Sequence, residues 1–318
     1  MKPSASAAAG STNAAVSFEV PAPAAPAGHV AVNRRSADFL ALTKPRLNLL
    51  VLMTTLGGLY LAAPDGVPLG ILFHTVVGTA LVAGGAAALN QVWERRTDRL
   101  MRRTASRPLP GGRLSAAEGT WFGIALSVIG VAELAFGANL TAAWVAGVTL
   151  ISYVLMYTPL KTRTSLSTIV GAIPGALPPV IGWAAAHGAI TLPAIVLFGI
   201  VFFWQMPHFL AIAWMYRVDY ARAGIVMLPG VDPDGRRTSQ QALLYSAALW
   251  PVSLMPLTVG LAGPAYGAIA TVLGLLFIWL CFRFTQERSQ QNARRLFLFS
   301  ITYLPVLWAA LVIDRVWL

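Results

Sequence analysis

Long apolar runs separated by polar connections occupy most of the chain from about residue 40 onward. A helix needs about 20 predominantly apolar residues to cross a hydrocarbon core. Nine segments approach that length: Leu47–Ala63, Gly70–Val92, Gly119–Phe136, Leu140–Tyr157, Leu166–Ala186, Thr191–Met215, Ala242–Ala262, Ala265–Phe282 and Leu296–Ile313. Connections after odd-numbered segments are short turns such as APDGVP and GAN, whereas those after even-numbered ones are longer and mixed in charge. The pattern predicts an all-α integral membrane fold with nine transmembrane helices.

Charge orients the pattern. Lysine and arginine number five before the first segment, then seven, two, four and four in the long connections, and none in the short turns; Arg315 follows the last span. Cytoplasmic loops carry the basic excess. The N-terminus and every long loop are therefore predicted to be cytoplasmic and the C-terminus outside, as in a bacterial inner membrane. Composition agrees, with 57% hydrophobic and 11% charged residues among 318, against roughly 25% charged in soluble domains. The net charge of +11 sits in loops between apolar runs, which fits membrane topology rather than nucleic acid. A single cysteine, Cys281, excludes a disulfide framework. Residues 1–35 are rich in Ala, Pro and Ser without an apolar core and read as a disordered cytoplasmic tail; residues 36–318 form the membrane domain.

The second segment ends in ALNQVWERRTDRLMRRTASRP, where Asn90, Glu94 and Asp98 recur every four residues. Helical neighbours at that spacing are offset by about 40° and 6 Å, so the three form one stripe about 12 Å long at the cytoplasmic end. Such oxygens suit Mg²⁺, which binds one or two carboxylates together with substrate phosphates. The nearby arginines, Arg103 and Arg107 among them, suit phosphate. The same spacing also fits an ordinary juxtamembrane helix with i,i+4 ion pairs. A second acid, Asp219, lies past the sixth segment on the same side. Asp232 and Asp234 lack the other ligands of a calcium loop and read as a turn. Tyr157 and Lys161 are four apart at the inner end of the fourth segment; Lys161 fits either a leaving diphosphate or a topological anchor. Lys44 and Arg46 carry the same alternatives. The fifth segment contains Pro174, Pro178 and Pro179, which predict a kinked or unwound helix. His208 follows Pro207 in the sixth segment and fits either a ligand contact or a bond to a neighbouring helix; Glu133 can snorkel outward.

Taken together, NQVWERRTDRLMRRTASRP, LTKPRLNLL, YTPLKTRTSLSTIVGAIPGALPPVIGW and WQMPHFLAIAWMYRVDYARAG resemble the UbiA-type intramembrane prenyltransferases, and within them the branch that farnesylates protohaem IX. The resemblance runs from about Leu40 to the C-terminus. It implies nine helices around a central cavity open to the cytoplasm, and transfer of a farnesyl group from farnesyl diphosphate to a vinyl group of haem b, giving haem O and diphosphate. It further implies Mg²⁺ and diphosphate on Asn90, Glu94, Asp98 and Asp219. Lys44, Arg103, Arg107, Lys161 and the Tyr157 hydroxyl would touch phosphate, and His208 would meet haem. Haem A synthase or terminal oxidase assembly proteins are the implied partners beside the bilayer. Two features depart from the family pattern. Glu94 stands where many members have aspartate, and the second acidic motif is reduced to Asp219. Two rival functions remain from the residues: a prenyltransferase for another aromatic or tetrapyrrole acceptor, and a membrane transporter.

Overall fold

The computed structural model describes residues 28–63 and 65–316. They form helices and connecting turns, with no strand among the described residues. In chain order the helices are α1 (Gly28–Leu42), α2 (Pro45–Ala62), α3 (Leu69–Leu100), α4 (Ala116–Gly137), α5 (Leu140–Ile151), a π-helical stretch (Ser152–Tyr157) continuing into α6 (Thr158–Leu160), α7 (Ser167–Ala176), α8 (Pro178–His187), α9 (Leu192–Met215), α10 (Arg217–Arg222), α11 (Leu228–Val231), α12 (Arg236–Thr258), α13 (Pro264–Gln286) and α14 (Gln290–Val316). The predicted tail is shorter than expected at its inner end, because residues 28–35 already belong to α1. Its first 27 residues lie outside the described residues.

Seven helical runs are long and apolar enough to cross a membrane, and the bent pair α1–α2, at 45°, makes an eighth. The expected ninth is α12, whose first turns hold Arg236, Arg237, Ser239, Gln240 and Gln241 and dilute its apolar stretch. The predicted break in the fifth span falls at Leu177, between α7 and α8. Pro178 and Pro179 have no N–H to continue the ladder. Gln205 of α9 reaches into this region and donates from Nε2 to the Ala172 carbonyl at 2.6 Å.

Helices α3 and α4 pack along one another, α2 along α8, and α9, α12, α13 and α14 form a second group joined to the first through α7 and α8. Small residues set the closest crossings, as helix pairs in lipid require. A methyl group on Gly58 would overlap the Pro179 carbonyl, and one on Gly182 would overlap the Thr55 carbonyl, so α2 and α8 touch backbone to backbone. Two buried tyrosines find internal partners: Tyr266 donates to the Ser253 carbonyl at 2.7 Å, and the Tyr303 hydroxyl lies 2.9 Å from that of Ser253. Glu133 does not simply reach outward. Its Oε1 lies 2.8 Å from His74 Nδ1 across the α3–α4 seam.

Candidate active site

The stripe read from the sequence forms at the end of α3. Asn90 and Asp98 are buried, and each of the three residues meets a different cation. Asn90 Oδ1 accepts from Lys44 Nζ at 3.0 Å. Glu94 Oε1 lies 2.5 Å from Lys161 Nζ, and Asp98 Oδ2 2.8 Å from Arg107 Nη1. The cations come from three separate connections: the α1–α2 turn, the chain after α6 and the chain after α3. Lys161 also stands 4.3 Å above the centre of the Tyr157 ring. Burial disfavours its ammonium, but Tyr157 and the Glu94 carboxylate outweigh that and hold its pKa above the usual lysine value.

Local structure explains why these groups converge. Pro159 has no N–H, and the stretch before it widens to π geometry from Ser152 to Tyr157. The Thr158 N–H and hydroxyl both donate to the Tyr153 carbonyl, the hydroxyl at 2.8 Å. Thr158 Oγ1 in turn accepts from Asn90 Nδ2 at 3.1 Å, which fixes the amide so that its oxygen faces Lys44. Tyr153 and Tyr157 stack obliquely with ring centres 5.3 Å apart. π-Bulges of this kind concentrate at functional sites. On the other side, Thr104 donates to the Asp98 carbonyl at 2.8 Å and folds the Arg107 loop back onto α3.

Lys44 is the one non-glycine residue with positive φ among those described, at φ 49° and ψ 59°. That conformation costs an L-residue about 1–2 kcal/mol, and strain of this kind persists only where its surroundings impose it.

The remaining expected residues lie apart from the stripe. Asp219, in α10, pairs at 4.0 Å with Arg222 of its own turn. Arg103 sits 5.8 Å from the centre of the Tyr216 ring. Neither has a hydrogen bond or ion pair to Asn90, Glu94 or Asp98 among the described residues. Their segments nevertheless dock beside it. Met101 packs with Ala223 and Ile225, and the Val226 N–H donates to the Lys161 carbonyl at 2.7 Å. Burial pushes the Tyr220 phenol up, and Arg103, Tyr157, Lys161 and Glu94 all act on it electrostatically. His208 is farther into α9: its Nδ1 lies 2.7 Å from Ser300 Oγ, and its ring packs 5.1 Å from both Trp204 and Phe297. Asp232 closes the turn before α12: its carbonyl accepts from the Gly235 N–H at 3.0 Å and its carboxylate from the Thr238 N–H at 2.7 Å and hydroxyl at 2.8 Å, in keeping with its reading as a turn residue.

Thr158, Tyr153 and Gln91 share this region without having been singled out from the sequence. Thr158 and Tyr153 are visible only as part of an apolar helix, and Gln91 only as the neighbour of Asn90.

The donor set fits Mg²⁺ in kind. It offers two carboxylates and an amide oxygen on one helix face, all hard oxygens, with no thiol. No group of three or more His, Cys, Asp or Glu side chains gathers among the described residues, this row included. Two carboxylates are too few to cage the ion, and Mg²⁺ commonly completes such a shell with substrate phosphates and water.

Residues 51–303 match the model of the UbiA prenyltransferase family. The chain belongs to that family. Among curated UbiA relatives, Protoheme IX farnesyltransferase of Solibacter usitatus (strain Ellin6076) is 49% identical over 287 residues, covering 87% of this chain and 98% of that protein. Protoheme IX farnesyltransferase of Koribacter versatilis (strain Ellin345) is 44% identical, with coverages of 87% and 93%. The UbiA fold is equally clear among solved structures. A structure of digeranylgeranylglyceryl phosphate synthase superposes with TM-score 0.77 at 16% identity, covering 90% of this chain and 100% of that one. A UbiA homologue from Archaeoglobus fulgidus bound to GPP and Mg²⁺ superposes with TM-score 0.62 at 18% identity, covering 86% and 99%.

Proposed function

We propose that this UbiA-family protein transfers the farnesyl group of farnesyl diphosphate to a vinyl group of protohaem IX, giving haem O and diphosphate with the help of Mg²⁺. The observation that carries the diphosphate half is the matched row at the end of α3, with Lys44, Lys161 and Arg107 set against Asn90, Glu94 and Asp98. Metal-seeking oxygens and phosphate-seeking cations stand together at one end of a bundle whose interior is apolar. Support for the acceptor comes from the activity named for curated relatives at 41–49% identity.

In this reading Asn90, Glu94 and Asp98 hold the ion, which when bound supplies Lewis-acid stabilisation of the leaving phosphates. Lys44, Lys161 and Arg107 take the phosphate oxygens, with the Tyr157 hydroxyl as a further donor and Arg103 reaching from the loop. Asp219 supports the same diphosphate or a second ion from α10. The farnesyl C1–O bond breaks, and its electron pair leaves with diphosphate. Preorganised cations stabilise that charge without reorganising at the moment of reaction. The terminal vinyl carbon of haem b then bonds to C1. The resulting porphyrin-side cation gains a hydroxyl from water and releases one proton, leaving a hydroxyethylfarnesyl group. Apolar walls restrain water until C–C bond formation is complete.

His208 is proposed to meet the haem iron, and its hydrogen bonding supports that role. With its hydrogen on the Phe297 carbonyl, 2.6 Å away, the Ser300 hydroxyl would accept from His208. In that arrangement Nδ1 carries the proton, and Nε2 would keep the lone pair that a metal takes. Ligating histidines are commonly oriented through their other nitrogen in this way.

The test is product analysis by mass spectrometry on purified protein with farnesyl diphosphate, Mg²⁺ and haem b, with an aromatic acid replacing haem b in a parallel reaction. The expected result is haem O in the first reaction only. A prenylated aromatic acid and unchanged haem b would overturn the acceptor. Substrate crossing proteoliposomes with no prenylated product in either reaction would overturn the transferase reading.

A further inference from the structure

The turn between α1 and α2 has two carbonyls that no backbone N–H reaches. The Thr43 and Lys44 N–H groups donate back to Leu40 and Ala41, and those of Leu47 and Asn48 donate to Lys44. Pro45 has no N–H to offer. The Leu42 and Thr43 carbonyls are thereby left over, at a helix end where four such groups always need partners. Two side-chain amides take them. Gln91 Nε2 donates to the Leu42 carbonyl at 2.7 Å, and Asn48 Nδ2 donates to the Thr43 carbonyl at 2.5 Å. Leu42 itself is fully buried in a cluster with Ala88, Leu109 and Leu114.

We infer that Gln91 is a positioning residue for diphosphate binding: it holds the Leu42–Pro45 turn in the conformation that carries Lys44 to the row on α3. The inference rests on the proposed role of Lys44. Gln91 follows Asn90 directly, so one helical step presents Asn90 to the Lys44 ammonium and the next presents Gln91 to the backbone that aims it. Gln91 is 1% exposed. A buried amide is unfavourable unless bonded, so its bond to Leu42 is the reason an amide is tolerated there. The residue at positive φ is the other half of the argument. Glycine would relieve the strain at position 44 but would remove the ammonium. The turn keeps a strained lysine, its two preceding carbonyls each held by a side-chain amide.

The experiment is calorimetric titration of full-length protein in nanodiscs with inorganic diphosphate at saturating Mg²⁺, arranged as a double-mutant cycle. Gln91→Met keeps the volume and removes the donor; it is expected to weaken diphosphate binding roughly five- to tenfold. In a Lys44→Met background, where no ammonium remains to be aimed, the same substitution is expected to change affinity by less than about twofold. Asn48→Ser, at the other amide, is expected to repeat the pattern and serves if Gln91→Met does not fold. Wild-type affinity in both variants, or an equal loss in the presence and absence of Lys44, would overturn the inference while leaving the diphosphate site standing. Absence of diphosphate binding by the unsubstituted protein would remove that site, and the inference with it.

Discussion

Lys161 and Glu94, 67 residues apart in sequence, hold their charged atoms 2.5 Å from one another towards the C-terminal end of α3. The pair couples the two halves of the proposed ligand. Mg²⁺ must take Glu94 from Lys161, and diphosphate must take Lys161 from Glu94, so each is expected to raise the other's affinity by at least about tenfold. Lys161→Ala should act with opposite signs, strengthening binding of Mg²⁺ alone and weakening that of diphosphate. Separate calorimetric titrations with Mg²⁺ and with inorganic diphosphate measure both. A fall in both affinities would show that the pair is not exchanged on binding.

Asp98 is 1% exposed and its ion-pair partner is Arg107. Arg107→Ala leaves a buried carboxylate unpaired, at an expected cost of about 3 kcal/mol in stability. Added Mg²⁺ should recover much of that loss by supplying the missing cation. Thermal unfolding with and without Mg²⁺ tests this. Asp98→Ala is expected to remain folded and inserted but to lose turnover, whereas Glu94→Asp, which keeps the charge, should retain part of it.

His208→Ala is expected to weaken haem b binding and shift the haem absorption spectrum, with little change in diphosphate affinity. Ser300→Ala should give a smaller shift in the same direction, because it removes the hydrogen-bond partner that orients the imidazole through Nδ1. Unaltered spectra in both variants would leave His208 as a packing residue between Trp204 and Phe297.

Asp232 provides a pH test outside the spans. Burial raises its pKa, but donation from the Thr238 N–H and hydroxyl and from the Arg237 N–H outweighs that and holds the carboxyl below the usual range. A folded pKa below the unfolded value contributes stability that is full above the unfolded pKa, about 3.9. That contribution is lost as pH falls through the folded value. Unfolding scans from pH 6 downward should therefore show a loss that is smaller in Asp232→Ala, which in turn should be less stable at pH 7 by about 1 kcal/mol.

The basic residues set the orientation test. Reporter fusions after Gly66 and at the C-terminal end are both expected to report the outer side. A cytoplasmic signal from either would reverse the orientation or change the number of spans.

Spacing alone made the row on α3 legible, because i,i+4 positions share a face in any straight helix. Its cations Lys44, Arg107 and Lys161 were legible as basic residues in connections expected to share one side, but which oxygen each meets depends on how three loops fold back. The π-helical stretch was hidden: widening a helix by one residue per turn leaves the apolar pattern intact, and only Pro159 hints at it. Gln91 was hidden because its partner is a backbone carbonyl, which carries no side-chain signature. Asp219 and Arg103 show the converse. The sequence pattern expects them on the same side as the row, yet α10 points the Asp219 carboxylate towards Arg222 rather than the row on α3. The α12 segment shows the limit of hydropathy, since a helix that begins in polar residues and packs between α9 and α13 need not be apolar throughout.

The contact of α2 with α8 has a mechanical consequence. At Gly58 and Gly182 the two backbones meet with no side chain between them, so there is no rotamer through which one helix can yield without moving the other. Close-packed interiors transmit displacement rather than absorb it. The pair is expected to act as a beam: a tilt of α8 would be carried along α2 to its first turn, where the chain bends and Lys44 begins its approach to Asn90. Leverage of this kind would let a displacement at one helix crossing change the reach of a single ammonium several turns away.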